Sequence, residues 1–504
     1  MKKMVTLVVV LLLVLVAAPW GIGRLAEKRV NAGLDQLVQE APYLTIVERH
    51  WTTGWFRSEQ QVTFEVFGAW LGAMNPATVP GETSAASEAD VEAQDLAARK
   101  LSPVPGAAAA PDQAPVESPQ ATPAPAPAAP IRFTVRNEIL HGPVLWPFSL
   151  GVARVNTRLV LNDELRHQLV KFFGTDEPVR ISSRVGFFGG GSTRLLADGR
   201  TVELKEKGGL LSYDDLEFEV DYSGDFDEAD MEGSWSRFEY TDTVRGERLV
   251  ASGMSLEGDS ERIVGDLYDT DLEFEIDEML FVGADKMETT VDEVHYGFET
   301  SHQDGFVDVA AKFGSGRISN PALTDLKLDL KEIHYDFTMR RLHAETLQKL
   351  VAELKAMYSR PVTTMAEMNS AVLTPMKQHG LALLKHNPEF LIDRMGVVTS
   401  DGQGVLKGVL RLPGVTEAEF AAGAKALVGR LEADFTMEVA QKLLEKIPNG
   451  ATGAGLAVDQ GFARRDGDQL VSHIEFKQGE LTVNGKPVPI PGLGAPPQEP
   501  PPQE

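Results

Sequence analysis

The densest group of side chains with metal-binding chemistry is an acidic run from Asp225 to Gly233. Carboxylates at alternating positions can bind Ca²⁺, but a calcium loop also needs a glycine at its sixth position and a glutamate at its twelfth. In this run the third acidic residue is displaced by one position, and Gly233 comes too late. The spacing therefore favours an acidic hairpin turn over a calcium site.

Two histidines, His295 and His334, occur in the matching contexts Glu293–Tyr296 and Glu332–Tyr335. In alternating strands, both imidazoles face the polar side beside an acidic residue. If the two strands pair, the imidazoles could form a metal site or a proton-transfer pair. Repetition of a strand pattern explains the histidines equally well, so we assign neither of them as a metal ligand.

No sequence motif of a catalytic site is found. Gly189 to Ser192 resembles a phosphate-binding loop, but no Lys-Ser or Lys-Thr follows, which favours a hairpin turn. The chain has no cysteine, so a thiolate metal site, a cysteine nucleophile and disulfides are excluded. His-Glu-x-x-His and Gly-x-Ser-x-Gly are not found either. We therefore predict a protein that is not an enzyme, without catalytic, cofactor-binding or metal-binding residues.

The first element along the chain is an apolar run from Met4 to Ile22, preceded by two lysines. Nineteen helical residues reach about 28 Å, close to the roughly 30 Å hydrocarbon core of a bilayer. The alternative is a signal peptide cleaved after Ala18, but Pro19 would then follow the scissile bond, where it is poorly accepted. We predict an uncleaved anchor in the bacterial inner membrane, with the C-terminal bulk in the periplasm.

The negative charge is concentrated in one part of the chain. Between residues 201 and 300 there are 30 acidic residues and 7 basic ones, which accounts for −23 of the formal charge of −26. Such a surface repels phosphate backbones, so we predict no nucleic-acid partner. A solvated sheet face is the simpler interpretation, and attraction of divalent cations or of a basic partner is the alternative.

The predicted fold class is α+β: an extended antiparallel β-rich periplasmic body, a mixed helix/strand C-terminal part and one N-terminal transmembrane helix. Residues 74–130 are rich in proline and alanine and cannot bury enough apolar surface to order. The predicted regions are the cytoplasmic N-terminus and anchor (1–23), a membrane-proximal helix and first strands (24–73), a disordered insert (74–130), an acidic β-rich region (131–341), an α/β C-terminal region (342–486) and a proline-rich tail (487–504).

Alternating apolar and acidic residues predict the strands of the acidic region. Asp215–Glu219 and Asp271–Glu275 are near copies, which suggests successive strands of one antiparallel sheet. After Arg341 the apolar spacing becomes helical. Helices are predicted over 347–358, 365–385, 417–427 and 437–447, with strands over 390–398, 404–412, 431–436, 461–465, 470–476 and 480–483.

Four short motifs carry a resemblance to a known family: Gly54–Ser58, His141–Pro143, Gly461–Asp468 and Gly479–Pro487. Their order and flanking context resemble the YdgA-like family of bacterial membrane-anchored proteins, whose biochemical function is unknown. The resemblance implies a Gram-negative inner-membrane protein with a periplasmic domain, and it carries over no catalytic residues. The proline-rich insert departs from the family pattern.

Two classes of function remain open. The first is a non-enzymatic envelope scaffold or assembly factor that acts through a protein partner or as a homo-oligomer. The alternative is a carrier of lipid or other hydrophobic molecules along a β-sheet groove, which needs an apolar strand face that helices leave uncovered. The helices after Arg341 could supply that cover. A hydrolase ranks last, because no nucleophile and base can be paired from the sequence.

Overall fold

The computed structural model describes residues 2–66, 131–145, 149–204, 208–357 and 365–489. The predicted insert at 74–130 and most of the predicted tail lie outside these residues. Within them, 25 strands are found, of which 23 form one sheet.

The strands are β1 (Leu44–Thr53), β2 (Arg57–Val66), β3 (Ile131–His141), β4 (Val144–Leu145), β5 (Ser149–Leu150), β6 (Ala153–Val160), β7 (Arg180–Val185), β8 (Gly191–Ala197), β9 (Arg200–Leu204), β10 (Gly209–Tyr213), β11 (Leu216–Tyr222), β12 (Glu228–Asp242), β13 (Arg248–Val264), β14 (Leu267–Val282), β15 (Glu288–Gln303), β16 (Phe306–Ser315), β17 (Ile318–Ser319), β18 (Leu330–His343), β19 (Glu389–Thr399), β20 (Gly402–Arg411), β21 (Glu432–Ala440), β22 (Arg464–Asp466), β23 (Gln469–Lys477), β24 (Glu480–Val483) and β25 (Lys486–Val488).

The helices are α1 (Lys2–Glu40), α2 (Asp163–Phe173), α3 (Pro321–Asp325), α4 (Ala344–Met357), α5 (Met365–Leu384), α6 (Glu417–Ala422), α7 (Ala424–Leu427), α8 (Gln441–Lys446) and α9 (Gly450–Asp459), with a 3₁₀ turn at Val428–Arg430.

The large sheet is antiparallel throughout and follows the chain as a meander. Its main order is β1-β2-β3-β6-β7-β8-β11-β12-β13-β14-β15-β16-β18-β19-β20-β21-β23-β24-β25. The short strands β9 and β10 extend it beside β12, while β17 pairs with β15 and β18. One sheet therefore runs through both predicted regions 131–341 and 342–486, whose boundary stays a prediction.

Helix α1 contains the apolar run predicted as the anchor, and its side chains are described from Gly21 onward. In the part of the chain that the structure describes in full, no helix has both the length and the apolar character needed to cross a membrane. The anchor over residues 4–22 therefore remains a prediction. The second half of α1 packs on the first strands, where Ala26 and Val30 join Ile139 and Val155 in a buried core.

The near-copied segments are strands of the same sheet but not successive ones. Asp215–Glu219 lies on β11 and Asp271–Glu275 on β14, with β12 and β13 between them. That part of the prediction was wrong. Both segments alternate apolar and acidic residues, so the repeat indicates which face of the sheet each residue occupies. It carries no information about which strands are neighbours.

Helices α4 and α5 agree with the predictions, whereas helix α9 was not predicted and the predicted helix over 437–447 starts too early. Strand β21 runs on to Ala440, and helix α8 begins only at Gln441. Residues 437–440 pair with β23, so the sheet ladder overrides their helical spacing. The predicted helix over 417–427 is interrupted at Gly423, whose φ of 83° is incompatible with a continuous helix.

Candidate functional site

The main candidate site is a continuous apolar surface on one face of the sheet, which we call the apolar track. It consists of two adjacent rows of cross-strand neighbours that cross ten strands from β11 to β21. The first row is Phe218, Gly233, Leu256, Phe274, Tyr296, Phe313, Tyr335, Met395, Leu406 and Met437. The second row is Val220, Met231, Gly258, Leu272, Phe298, Ala311, Phe337, Ile392, Gly408 and Phe435.

The middle of the apolar track is open to solvent. Tyr296, Phe313 and Tyr335 are 40%, 47% and 40% exposed although they are direct cross-strand neighbours. The rings of Phe313 and Tyr335 lie with their centroids 6.2 Å apart. Isolated apolar residues on a surface are ordinary, whereas a contiguous exposed aromatic patch is a candidate for an interaction surface.

Glycines in the apolar track let large neighbours lie flat across the sheet. A Cβ atom on Gly258 would lie 2.8 Å from Leu272 Cδ1 and 2.9 Å from the Asp271 carbonyl oxygen. At Gly233 a Cβ atom would lie 2.9 Å from the ring of Phe218. The surface is therefore closely packed within itself, while its outer side has no cover at the centre.

The opposite face of the same strands carries rows of carboxylates. Two rows cross β11 to β14: Glu219, Glu232, Glu257 and Glu273, then Asp221, Asp230, Asp259 and Asp271. They line a depression of about 700 Å³, which we call the acidic depression. Direct cross-strand pairs of like charge are destabilising. The prediction that the acidic residues share the polar strand face is confirmed.

Helix α4 covers the apolar face only near the strand ends. Ala344 and Leu347 pack with Leu267, Val307 and Leu342 in a second core. Val307 is six residues from Phe313 on the same face, or about 20 Å along β16. Helix α4 thus covers one margin of the track, and the aromatic centre of the track stays exposed.

A charge cluster ties the end of α1 to this margin. Glu40 accepts hydrogen bonds from Arg262 at 3.0 Å and from Lys355 at 2.8 Å, and Lys355 also donates to Asp266 at 2.7 Å. Arg262 further donates to Asp227 at 2.6 Å. We call these five residues the clasp. It joins α1, α4 and the turns that precede β12 and β14.

The clasp perturbs the protonation of its members. Burial alone would raise the pKa of Glu40, but hydrogen bonds from Lys355 and Arg262 outweigh burial and lower the pKa below its ordinary value. Burial alone would lower the pKa of Lys355, yet hydrogen bonds to Asp266 and Glu40 raise it. Both shifts favour the charged forms of Glu40 and Lys355.

The acidic run at 225–233 forms the β11–β12 turn and the start of β12, so the predicted hairpin turn is confirmed. Ser223 donates to Asp225 at 2.8 Å, and this bond is the main reason why the pKa of Asp225 is lowered. Asp227 belongs to the clasp, and the backbone oxygen of Asp225 accepts from Gln36 of α1. Through these contacts the β11–β12 turn holds helix α1. The glycine run at 189–191 likewise forms the β7–β8 turn.

His295 and His334 lie on β15 and β18, which are separated by β16 rather than paired. Gly314 of β16 stands between them, and the two ring centroids are 6.5 Å apart. His334 Nε2 bonds Glu332 at 2.8 Å, whereas His295 Nδ1 lies 3.4 Å from the Glu293 carbonyl oxygen. The arrangement brings the histidines near each other, and among the residues that the structure describes no third ligand joins them. A group of three ligand residues occurs elsewhere, at Asp434, His473 and Glu475.

The structure also pairs a serine with a histidine, which sequence reasoning missed. The Oγ atom of Ser58 lies 3.0 Å from His141 Nε2, and His141 Nδ1 lies 3.2 Å from the Trp55 carbonyl oxygen. Ser58 and His141 are only 3% and 7% exposed. A Cβ atom on Gly23 of α1 would lie 2.5 Å from the imidazole, so α1 seals the pair from solvent. The pair joins two of the motifs that carry the family resemblance and satisfies two buried polar groups.

These features define a class: a β-rich antiparallel protein with an N-terminal helix, one apolar sheet face and one acidic face. Residues 1–491 match a family model described as a bacterial protein of unknown function, DUF945. The chain belongs to this family. The YdgA-like resemblance is compatible with that membership. No curated protein and no solved structure matches the chain.

Proposed function

We propose that this protein is a non-enzymatic bacterial envelope protein, anchored to the inner membrane by residues 4–22, that binds lipid acyl chains along the apolar track. The observation that carries the proposal is the exposed aromatic centre of a surface that crosses ten strands. Ten strands spaced by about 4.8 Å give a track about 43 Å long. That length exceeds the roughly 30 Å hydrocarbon core of a bilayer.

Acyl chains suit this surface because it offers apolar contact without polar specificity. Burying apolar area yields about 25 cal/mol per Å², and the exposed rings of Tyr296, Phe313 and Tyr335 supply such area. The track residues lie in line across the strands, so a linear chain contacts many of them at once. Helix α4 leaves the centre of this line open, which supports the carrier class.

Photo-crosslinking tests the proposal. A benzophenone amino acid is placed at Tyr296 or Phe313 in full-length protein in cells, and adducts are identified by mass spectrometry. The matched controls are Phe188, an exposed turn residue away from the track, and Glu257 on the acidic face. We expect lipid adducts at the two track positions and none at the controls. Equal lipid labelling at all four positions would contradict the proposal.

A scaffold that binds a basic protein segment is the second candidate, and the acidic depression favours it. Eight carboxylate residues line this depression, and none of the residues lining it is basic. A cationic segment would relieve the like-charge pairs of both rows. In the same experiment, a defined protein adduct at Glu257 with no lipid adduct at Tyr296 would favour the scaffold.

A further inference from the structure

Asp434, His473 and Glu475 come together on the neighbouring strands β21 and β23. Asp434 lies directly opposite Glu475, and His473 precedes Glu475 by two residues on the same face. His473 Nδ1 is 3.6 Å from Asp434 Oδ1, and His473 Nε2 is 3.4 Å from Glu475 Oε1. With one ligand atom taken from each residue, all three lie within 4.8 Å of one another.

The two carboxylates of this group differ from nearby acids in their partners. Glu432 pairs with Lys477 at 3.3 Å and Glu389 with Arg411 at 2.6 Å. Among the described residues, the only ion-pair partner of Asp434 and of Glu475 is His473. Two like charges therefore face each other with only an imidazole between them, which is an unfavourable cross-strand pair.

A neutral imidazole cannot satisfy both carboxylates. It has one N–H donor, so its other nitrogen points a lone pair at a carboxylate oxygen. Both contacts are also longer than the usual 2.7–3.2 Å of a hydrogen bond. A bound cation would remove the carboxylate repulsion and accept the nitrogen lone pair.

We propose that Asp434, His473 and Glu475 bind a divalent transition-metal ion of the Zn²⁺ type. Zn²⁺ lies about 2.0–2.2 Å from imidazole nitrogen and carboxylate oxygen, so tetrahedral ligands are about 3.4 Å apart. Only one nitrogen of His473 can bind the ion; the distance from Nε2 to Glu475 Oε1 matches that separation, and one ligand atom from each of the three residues lies within 4.8 Å of the others. The nitrogen ligand favours such an ion over Ca²⁺ or Mg²⁺, which prefer oxygen ligands alone. Water would complete the coordination.

The backbone around His473 is held in place. The His473 N–H donates to Asn484 Oδ1 at 2.9 Å, and the Asn484 N–H donates to the His473 carbonyl oxygen at 2.7 Å. His334 provides a natural contrast on the same sheet. Its Nε2 bonds Glu332 at 2.8 Å, and Arg394 lies 3.7 Å from that carboxylate, so a cation is already present.

Zn²⁺ binding to full-length protein in detergent, without a histidine tag, tests the proposal. Affinity is measured by competition with a chromophoric chelator, with excess Ca²⁺ present to compete for non-specific binding to surface carboxylates. We expect His473→Ala to weaken Zn²⁺ binding at least roughly tenfold, since even groups that merely orient a ligand contribute that much. His334→Ala should leave the affinity unchanged. Co²⁺ should show visible absorption bands that His473→Ala abolishes.

Substituting the two carboxylates of the site provides a second, independent test. Asp434→Asn with Glu475→Gln should lose the site, whereas Glu232→Gln with Glu257→Gln should keep it. All substituted side chains are partly or largely exposed, and unchanged thermal unfolding without metal would verify the fold. Equal Zn²⁺ affinity of the wild type and His473→Ala would overturn the proposal. Neither result bears on lipid binding at the apolar track.

Discussion

The two faces of strands β11 to β14 are built from alternate residues of the same segments, yet their interactions are opposite in kind. On one face, Phe274 and Leu272 join rows of apolar neighbours, and Leu272 lies over Gly258. On the other face, Glu273 and Asp271 stand beside further carboxylates. The apolar face is uncovered at its centre, and none of the residues lining the acidic depression is basic. The two partners proposed above differ in chemistry accordingly.

The difference also shows where the stability of the sheet resides. The apolar face gains from contacts between neighbouring side chains, and its glycines are sites of close approach. The acidic face contributes repulsion, which is reduced by solvent and salt because its side chains are exposed. Substitutions on the two faces should therefore differ in both the size and the sign of their effects.

Alanine at paired glycines should give the largest difference. At Gly258, on the apolar face, a Cβ atom would meet Leu272 and the Asp271 carbonyl oxygen, so Gly258→Ala should destabilise by about 1–3 kcal/mol. At Gly297, on the acidic face, the nearest atom to a new Cβ is Lys312 Cβ at 3.6 Å. Gly297→Ala should be neutral or stabilise by up to about 1 kcal/mol.

Urea unfolding followed by circular dichroism measures both variants. Equal losses at Gly258 and Gly297 would show that the apolar face is not the more tightly packed one.

Much of this contrast was predictable, because facial alternation is local. The pattern Leu216, Phe218, Val220 against Glu217 and Glu219 defines both faces of β11 without any knowledge of its neighbours. Which strands are neighbours is set by turns and by pairing between distant segments. The order of the strands that carry the near-copied segments, and the pairing of β21 at Met437, therefore could not be predicted from local alternation.

The candidate sites were even less predictable than the strand order, because residues far apart in the chain form them. Ser58 meets His141, and Asp434 meets His473, only through the register of neighbouring strands. The His-x-Glu spacing at 473–475 was the one local signal, and by itself it is common. The clasp had no local signal, because Glu40 and Lys355 are 315 residues apart.

Breaking the clasp should give the next largest effect. Glu40→Gln removes the carboxylate shared by Arg262 and Lys355, and we expect a loss of about 1–2 kcal/mol at pH 7, since the cluster is partly buried. The folded-state pKa of Glu40 is lowered, so its contribution is present above the unfolded pKa and is lost as pH falls through the folded value.

The wild type and Glu40→Gln should therefore converge in stability as the pH falls from about 5 toward 3. Urea midpoints across this range provide the measurement, and Glu345→Gln, whose partner Lys349 is an exposed helix neighbour, is the control. A constant difference between wild type and Glu40→Gln at all pH values would rule out an electrostatic clasp.

Removing one like-charge pair should give the smallest effect and the opposite sign. Glu232 and Glu257 are direct cross-strand partners, so Glu232→Gln with Glu257→Gln should stabilise by about 0.2–1 kcal/mol at low salt. The gain should shrink in 1 M NaCl, where the Debye length is about 3 Å. Glu239→Gln on the same β12 strand is the control. Arg237 and Arg248 both pair with Glu239 at 2.8 Å, so losing its charge should destabilise. If the double variant loses stability as Glu239→Gln does, the carboxylates of the acidic depression do not repel one another in the folded protein, and the electrostatic argument for a basic partner fails with them.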